Sequence, residues 1–191
     1  MSSASKKKQE LREKVLAERQ KISARDWKEK SDQIISTLIN HDSFKVAKTV
    51  HTYISMNQRR EVCTDTLLEY LINSEKRVVV PVTNFSEGTL SHSGITSLSD
   101  LKTNKWGVAE PAQISKVDMG ELDLIIVPMA AADRARNRLG YGKGFYDRFL
   151  SETNAQKVGL VFESFLFDEI PTEEFDEKLD MIISEEEVIF A

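Results

Sequence analysis

Short, nearly uninterrupted apolar runs restrict this chain more than any other feature. They read RVVVPV over residues 77–82, LDLIIVP over 122–128, KVGLVF over 157–162 and LDMIIS over 179–184. A strand with one wet face alternates apolar and polar residues. A run without that alternation suits a strand buried on both faces, as in a parallel sheet covered by helices. Helical patterns do stand between the runs. Residues 64–73 carry Leu67, Leu68 and Leu71 at helical spacing, and residues 145–152 read as a further helix. Residues 46–56, with the β-formers Val50, Tyr53 and Ile54, are expected to form the first strand. Weaker strand and turn signals fill 84–95.

Two helices are expected ahead of every strand. Residues 6–22 set Leu11, Val15, Leu16 and Ile22 as a thin apolar stripe among Lys, Glu, Arg and Gln. Ser23 is placed to cap a second helix, with Asp26 at its N3 position. That helix would bury Trp27, Ile34, Ile35, Leu38 and Ile39. The predicted architecture is a three-layer α/β fold, a mostly parallel sheet flanked by helices. With 191 residues and no repeat or linker-like stretch, one domain over 1–191 is expected.

Composition narrows the function. A net charge of −5 argues against a general nucleic-acid coat. Cys63 is the only cysteine, which rules out an internal disulfide and a Cys-rich zinc site. His41, His51 and His92 have no metal-ligand spacing. The lysine-rich start lacks an apolar signal region. The longest apolar stretch, 122–132, is broken by Asp123 and Pro128 and is too short to span a bilayer. A cytoplasmic monomer acting on small molecules, with no nucleic-acid or membrane partner, is the expectation.

Open parallel sheets bind ligands beyond the carboxyl ends of their strands. The segment after 122–128 reads MAAADRARNRLGYGKGFYD. Gly140, Gly142 and Gly144 alternate there, Arg138 and Lys143 add positive charge, and a helix beginning near Gly144 would bring free N–H groups. The combination suits phosphate. Its spacing is neither GxxxxGK[ST] nor GxGxxG, and a glycine-rich surface turn with solubilising basic residues fits the same residues. Asp147 reads either as a magnesium ligand beside a polyphosphate or as a first-turn acid offsetting the helix dipole.

Residues 128–150, PMAAADRARNRLGYGKGFYDRFL, resemble the signature of the 5-formyltetrahydrofolate cyclo-ligase family, approximately PGxxFDxxGxRLGxGxGYYDxxL. Pro128, Asp133, Arg138, Leu139, Gly140, Gly142, Gly144, Tyr146, Asp147 and Leu150 carry the match. Further matches lie at Lys8, Leu11 and Arg12, at Ile54 to Met56 with Glu61 and Thr64, at 106–111 (WGVAEP) and at 171–184, so the resemblance covers 8–188.

The resemblance implies an enzyme that converts 5-formyltetrahydrofolate to 5,10-methenyltetrahydrofolate with Mg-ATP. It implies that Arg138, Leu139, Gly140, Tyr141, Gly142, Lys143, Gly144, Phe145 and Tyr146 wrap the ATP phosphates, with Lys143, Arg138 and Tyr146 as the catalytic set. Lys8 and Arg12, on one helix face, also reach ATP. Asp147 and Glu173 hold Mg2+, while Ile54, Glu61, Trp106 and the Tyr141–Phe145 stretch contact the folate. The chain departs from the family pattern at Met129 and Arg136 (both Gly in the family), Ala132 (Phe), Phe145 (Tyr) and Phe175 (His). Its loop between Met56 and Glu61 is longer than in some members by about two residues. These departures keep two other readings open. One is a catalytically weak relative that binds folate or nucleotide, and the other is an ATP-dependent enzyme acting on another small amide.

Overall fold

The computed structural model describes residues 3–104 and 107–190. Helices α1 (Ser3–Arg19) and α2 (Ala24–Asn40) precede every strand, as expected. The Ser23 hydroxyl accepts the Asp26 N–H at 3.0 Å and closes the start of α2, whose Ile34, Ile35 and Leu38 are buried. Helix α1 begins and ends earlier than 6–22, leaving Ile22 beyond it.

The first strand differs from the expectation. A short helix, α3 (Asp42–Val46), takes up the start of the 46–56 run, and β1 covers only Thr49–Thr52. His41 Nδ1 caps that helix by accepting the Ser43 N–H at 3.3 Å, and Val46, at its end, is 76% exposed. Tyr53, Ile54 and Met56 therefore fall in the loop beyond β1.

The chain continues through α4 (Asp65–Ile72), the hairpin β2 (Arg77–Asn84) and β3 (Thr89–Ile95), and a two-stranded ribbon of β4 (Leu101–Thr103) and β5 (Ala109–Pro111). After β6 (Leu124–Val127) come β7 (Ala131–Asp133), β8 (Arg138–Leu139), α5 (Phe145–Ser151), β9 (Gln156–Leu160), β10 (Leu166–Phe167), β11 (Met181–Ile183) and β12 (Val188–Phe190).

The main sheet has seven strands in the order β12-β11-β9-β6-β1-β2-β3. The strands from β11 to β2 run parallel, and the two edge strands, β12 and β3, are antiparallel to their neighbours. Helices flank it, with α4 packed on β2, α5 on β3 and α2 on β11. The apolar runs fill its middle. Val79, Val80, Ile125, Ile126, Val158 and Ile182 are fully buried. Each such side chain contributes about 1.5–3 kcal/mol relative to an exposed one. Among the described residues no helix is long and apolar enough to cross a membrane.

Strand β1 is the switch point of this topology. His51 pairs with Val79 of β2 on one side and with Ile125 of β6 on the other. From β1 the chain builds outward to β2 and β3, then returns to β1's other edge as β6. A crevice forms beyond the carboxyl ends of β1 and β6, where open α/β sheets take their ligands.

Candidate active site

A cavity of about 340 Å³ occupies that crevice. Tyr53, Ile54 and Met56 enter it from the end of β1, Pro128 from the end of β6, and Thr83 and Phe85 from the β2–β3 hairpin. Its far wall is the glycine loop with the start of α5. Of the residues singled out in the sequence, Ile54, Glu61, Arg138, Gly140, Tyr141, Gly142, Lys143, Gly144, Phe145, Tyr146 and Asp147 all line it.

Glu61 is 3% exposed. One carboxylate oxygen accepts the Met56 N–H at 2.6 Å, and Oε1 is buried without a hydrogen-bond partner among the described residues. Burial pushes this carboxyl up, against the pull of the Tyr141 hydroxyl, the Met56 N–H, Arg19 and Arg59. The Tyr141 hydroxyl donates to the Met129 carbonyl at 3.2 Å rather than to Oε1. The loop bearing Glu61 is fixed by Trp27, whose Nε1 donates to the Glu61 carbonyl at 2.6 Å, and by Tyr53, whose hydroxyl donates to the Val62 carbonyl at 2.9 Å. A buried acceptor without a donor is costly unless a ligand supplies one.

Arg138 enters the cavity from β8. It is 5% exposed, donates through Nη1 to the Pro128 carbonyl at 3.3 Å and forms an ion pair with Asp147. Its Nε is without a partner among the described residues, as is the Tyr146 hydroxyl. Burial pushes the Tyr146 phenol well up, so it stays a donor near neutral pH. The guanidinium explains one glycine. A Cβ at Gly140 would lie 2.7 Å from Arg138 Nη1. Gly142 has φ +84°, and Arg12 packs against it. Arg12 also donates through Nε to the Gly140 carbonyl at 2.7 Å, so α1 steadies the loop.

Other expected residues stand apart from the cavity wall. Leu139 is fully buried in β8, so only its backbone could meet a ligand. Lys8 Nζ is held by Asp176 Oδ1 and Oδ2 at 2.5 and 2.6 Å and by Glu173 Oε2 at 3.1 Å, with the exposed Phe175 ring 5.6 Å away. Trp106 lies outside the described residues, while Val108 and Ala109, just after it, line the cavity. Cys63 is buried.

The family departures have local explanations. Met129 points into the core, where its Cε and Leu179 Cδ1 would lie 2.2 and 2.5 Å from a Cβ at Gly159. It does not line the cavity. Arg136 has φ +66°, a conformation that favours the family's glycine. Its side chain donates to the Leu179 carbonyl at 3.1 Å. Ala132 is fully buried in β7, in the small sheet β10-β7-β8.

Two features escaped the sequence reading. Arg19 looked like one more basic residue on a solvated helix, yet it is 2% exposed behind the cavity. His51 and His92 form a buried pair, Nε2 to Nδ1 at 3.2 Å, beneath Phe149 of α5. Burial lowers both, bringing His92 to about 4. No single residue spacing signals either one.

Among the described residues no group of three His, Cys, Asp or Glu side chains could hold a metal ion. On the glycine-loop wall of the cavity Asp147 is the carboxylate, the other lining carboxylate, Glu61, coming from the loop after β1. That donor set fits an ion carried on a polyphosphate, which takes one or two protein carboxylates and draws its other ligands from phosphate and water.

The comparisons agree with this layout. The model of the 5-formyltetrahydrofolate cyclo-ligase family matches residues 4–185. The 5-formyltetrahydrofolate cyclo-ligase of Escherichia coli K12 is 30% identical over 89% of this chain and 96% of its own. The mouse protein of that name is 26% identical over 93% and 91%. The solved structure of Aquifex aeolicus 5,10-methenyltetrahydrofolate synthetase superposes with a TM-score of 0.85 at 31% identity, covering 96% of this chain and 92% of that one. A match spanning both the helices that precede the sheet and the glycine loop beyond β6 makes this chain a member of the 5-formyltetrahydrofolate cyclo-ligase family.

Proposed function

We propose that the chain catalyses the ATP-dependent closure of 5-formyltetrahydrofolate to 5,10-methenyltetrahydrofolate, releasing ADP and phosphate. One observation carries the reading. A single cavity brings Glu61, with its unpaired oxygen, together with Arg138, Lys143 and the glycine loop.

A formamide oxygen is a poor leaving group. Its attack on the γ-phosphorus of ATP forms a P–O bond as ADP departs. The N10 lone pair then attacks the formyl carbon. The C–O bond breaks, phosphate takes the electron pair, and N10 gives up its proton. Phosphoryl transfer asks mainly for positioning and charge neutralisation.

In this scheme Arg138 and Lys143 donate to the phosphates together with the N–H groups of the glycine loop. The protonated Tyr146 hydroxyl donates to the transferring oxygens. Glu61 Oε1 accepts from the N–H edge of the pterin, and Tyr53, Ile54 and Val108 cover its ring. Trp106 is assigned a stacking role on the same ring. Lys8 joins ATP by exchanging Asp176 and Glu173 for a phosphate. Asp147 would hold a Mg2+ carried on the phosphates, with Glu173 as the second carboxylate, and that ion would supply further charge neutralisation. The reading includes a monomeric, cytoplasmic enzyme of one domain over 1–191, with no nucleic-acid or membrane partner.

The test is turnover of purified protein with 5-formyltetrahydrofolate and Mg-ATP, followed by the near-ultraviolet absorbance of the product. ATP-dependent product formation is expected. No product, with tight folate or ATP binding, would replace the reading with a sequestering relative.

A further inference from the structure

The cavity walls come from segments distant in sequence: the loop after β1, the end of β6 and the glycine loop. One side chain bonds all three. Arg19, the last residue of α1, donates through Nε to the Arg59 carbonyl at 2.9 Å, through Nη1 to the Met129 carbonyl at 3.1 Å and through Nη2 to the Tyr141 hydroxyl at 2.9 Å. Its guanidinium also lies 5.5 Å from the centre of the Tyr141 ring. Arg19 does not itself line the cavity.

We propose that Arg19 is a positioning residue of this site: it fixes the Glu61 loop, the end of β6 and Tyr141 relative to one another, and so sets the distance between the folate and phosphate ends of the cavity. The proposal rests on the function proposed above. A planar guanidinium can serve three acceptors in three directions, whereas an ammonium is a point donor on a flexible stem. Tyr141 relays the constraint, because its hydroxyl accepts from Arg19 and donates to the Met129 carbonyl. Among the described residues Arg19 forms no close ion pair with a carboxylate, so its charge is left to act on Glu61 across the Arg59–Glu61 turn.

Arg19→Lys and Arg19→Met in the full chain test this. Thermal unfolding identifies folded variants. Kinetics separates KM for each substrate from kcat, and carbon-13 NMR of labelled glutamate, assigned with Glu61→Gln, follows the Glu61 titration. Arg19→Lys should fold and raise KM for 5-formyltetrahydrofolate by about tenfold or more, the scale set by small misplacements of substrate. Its Glu61 should titrate as in the wild type, since the charge is kept, whereas in Arg19→Met it should titrate at higher pH. Folded Arg19→Lys with both KM values unchanged overturns the proposal, as does an unmoved Glu61 in folded Arg19→Met. The NMR arm needs no turnover. An inactive wild type whose Glu61 moves in Arg19→Met overturns the reaction and supports the positioning role. An active wild type with unaltered variants does the reverse.

Discussion

Arg138 and Asp147 neutralise each other, and a phosphate arriving at Arg138 meets a carboxylate already there. Asp147→Asn removes that competitor and, with it, the proposed metal contact. The two effects have opposite signs and are separable by metal. A carboxylate about 6 Å from a phosphate charge repels it by about 0.7–3 kcal/mol at effective dielectric constants from ~80 to ~20. With a chelator present, Asp147→Asn should therefore bind ATP about tenfold more tightly than the wild type. With excess magnesium the order should reverse, because only the wild type gains the metal contact. The Arg138 side chain is 4% exposed and that of Asp147 22%. Asparagine keeps an oxygen that can accept from Nη2, so the stability cost falls below that of an orphaned buried charge, to about 1–2 kcal/mol. For a chain of this length that is a fall in Tm of about 2–8 °C. Isothermal titration with ATP, with chelator and then with magnesium, reads the binding. Equal or weaker binding of metal-free ATP by the folded variant would refute the competition. An unchanged magnesium dependence would remove Asp147 from the metal.

Lys143 is exposed at the cavity rim, so Lys143→Ala should leave Tm within about 1 °C. It should also lower kcat/KM for ATP by about a hundredfold; near-normal kinetics would count against a phosphate role. The His51–His92 pair is kept neutral in the fold, while the unfolded chain takes up protons near pH 6.5. Stability is then fully present above pH 6.5 and is lost as pH falls toward about 4, at up to ~1.4 kcal/mol per pH unit for each histidine. Glu61, pushed up, opposes this as one group against two, so urea midpoints that do not fall between pH 7 and 5 would exclude the pair as a determinant. Gly159→Ala should cost about 1–3 kcal/mol by overpacking against Met129 and Leu179. Combining it with Met129→Ala should recover part of that loss, and strict additivity in the double-mutant cycle would contradict the packing.

Within the main sheet β2, β6, β9 and β11 were legible because they are apolar on both faces, a pattern that needs no partner to be recognised, whereas the edge strand β12 has three residues and gave no such run. The small sheet was not legible, since β8 and β10 have two residues each and Arg138–Leu139 carries no alternation to read. The start of β1 was misjudged at Val46, whose β propensity yielded to the cap that His41 provides for α3. The glycine loop could be read because glycines and cations crowd one segment. Its pairing of Arg138 with Asp147 could be suspected only from proximity in sequence. Arg19 and the histidine pair were illegible, because their partners lie on separate elements that only the sheet order brings together. The resemblance supplied Glu61 and Ile54, which by themselves read as a surface acid and a core residue.

The switch-point strand also has a consequence for how the chain is made. β1 is the first strand synthesised, but it lies inside the sheet, with His51 paired to both Val79 and Ile125. Its second edge stays uncovered until residue 127 has left the ribosome, and Lys8 waits still longer for Asp176. A nascent chain halted between those points would expose an unpaired strand edge in want of a partner. Folding of this protein should therefore be late and dominated by distant contacts, with the ligand cavity among the last features to close.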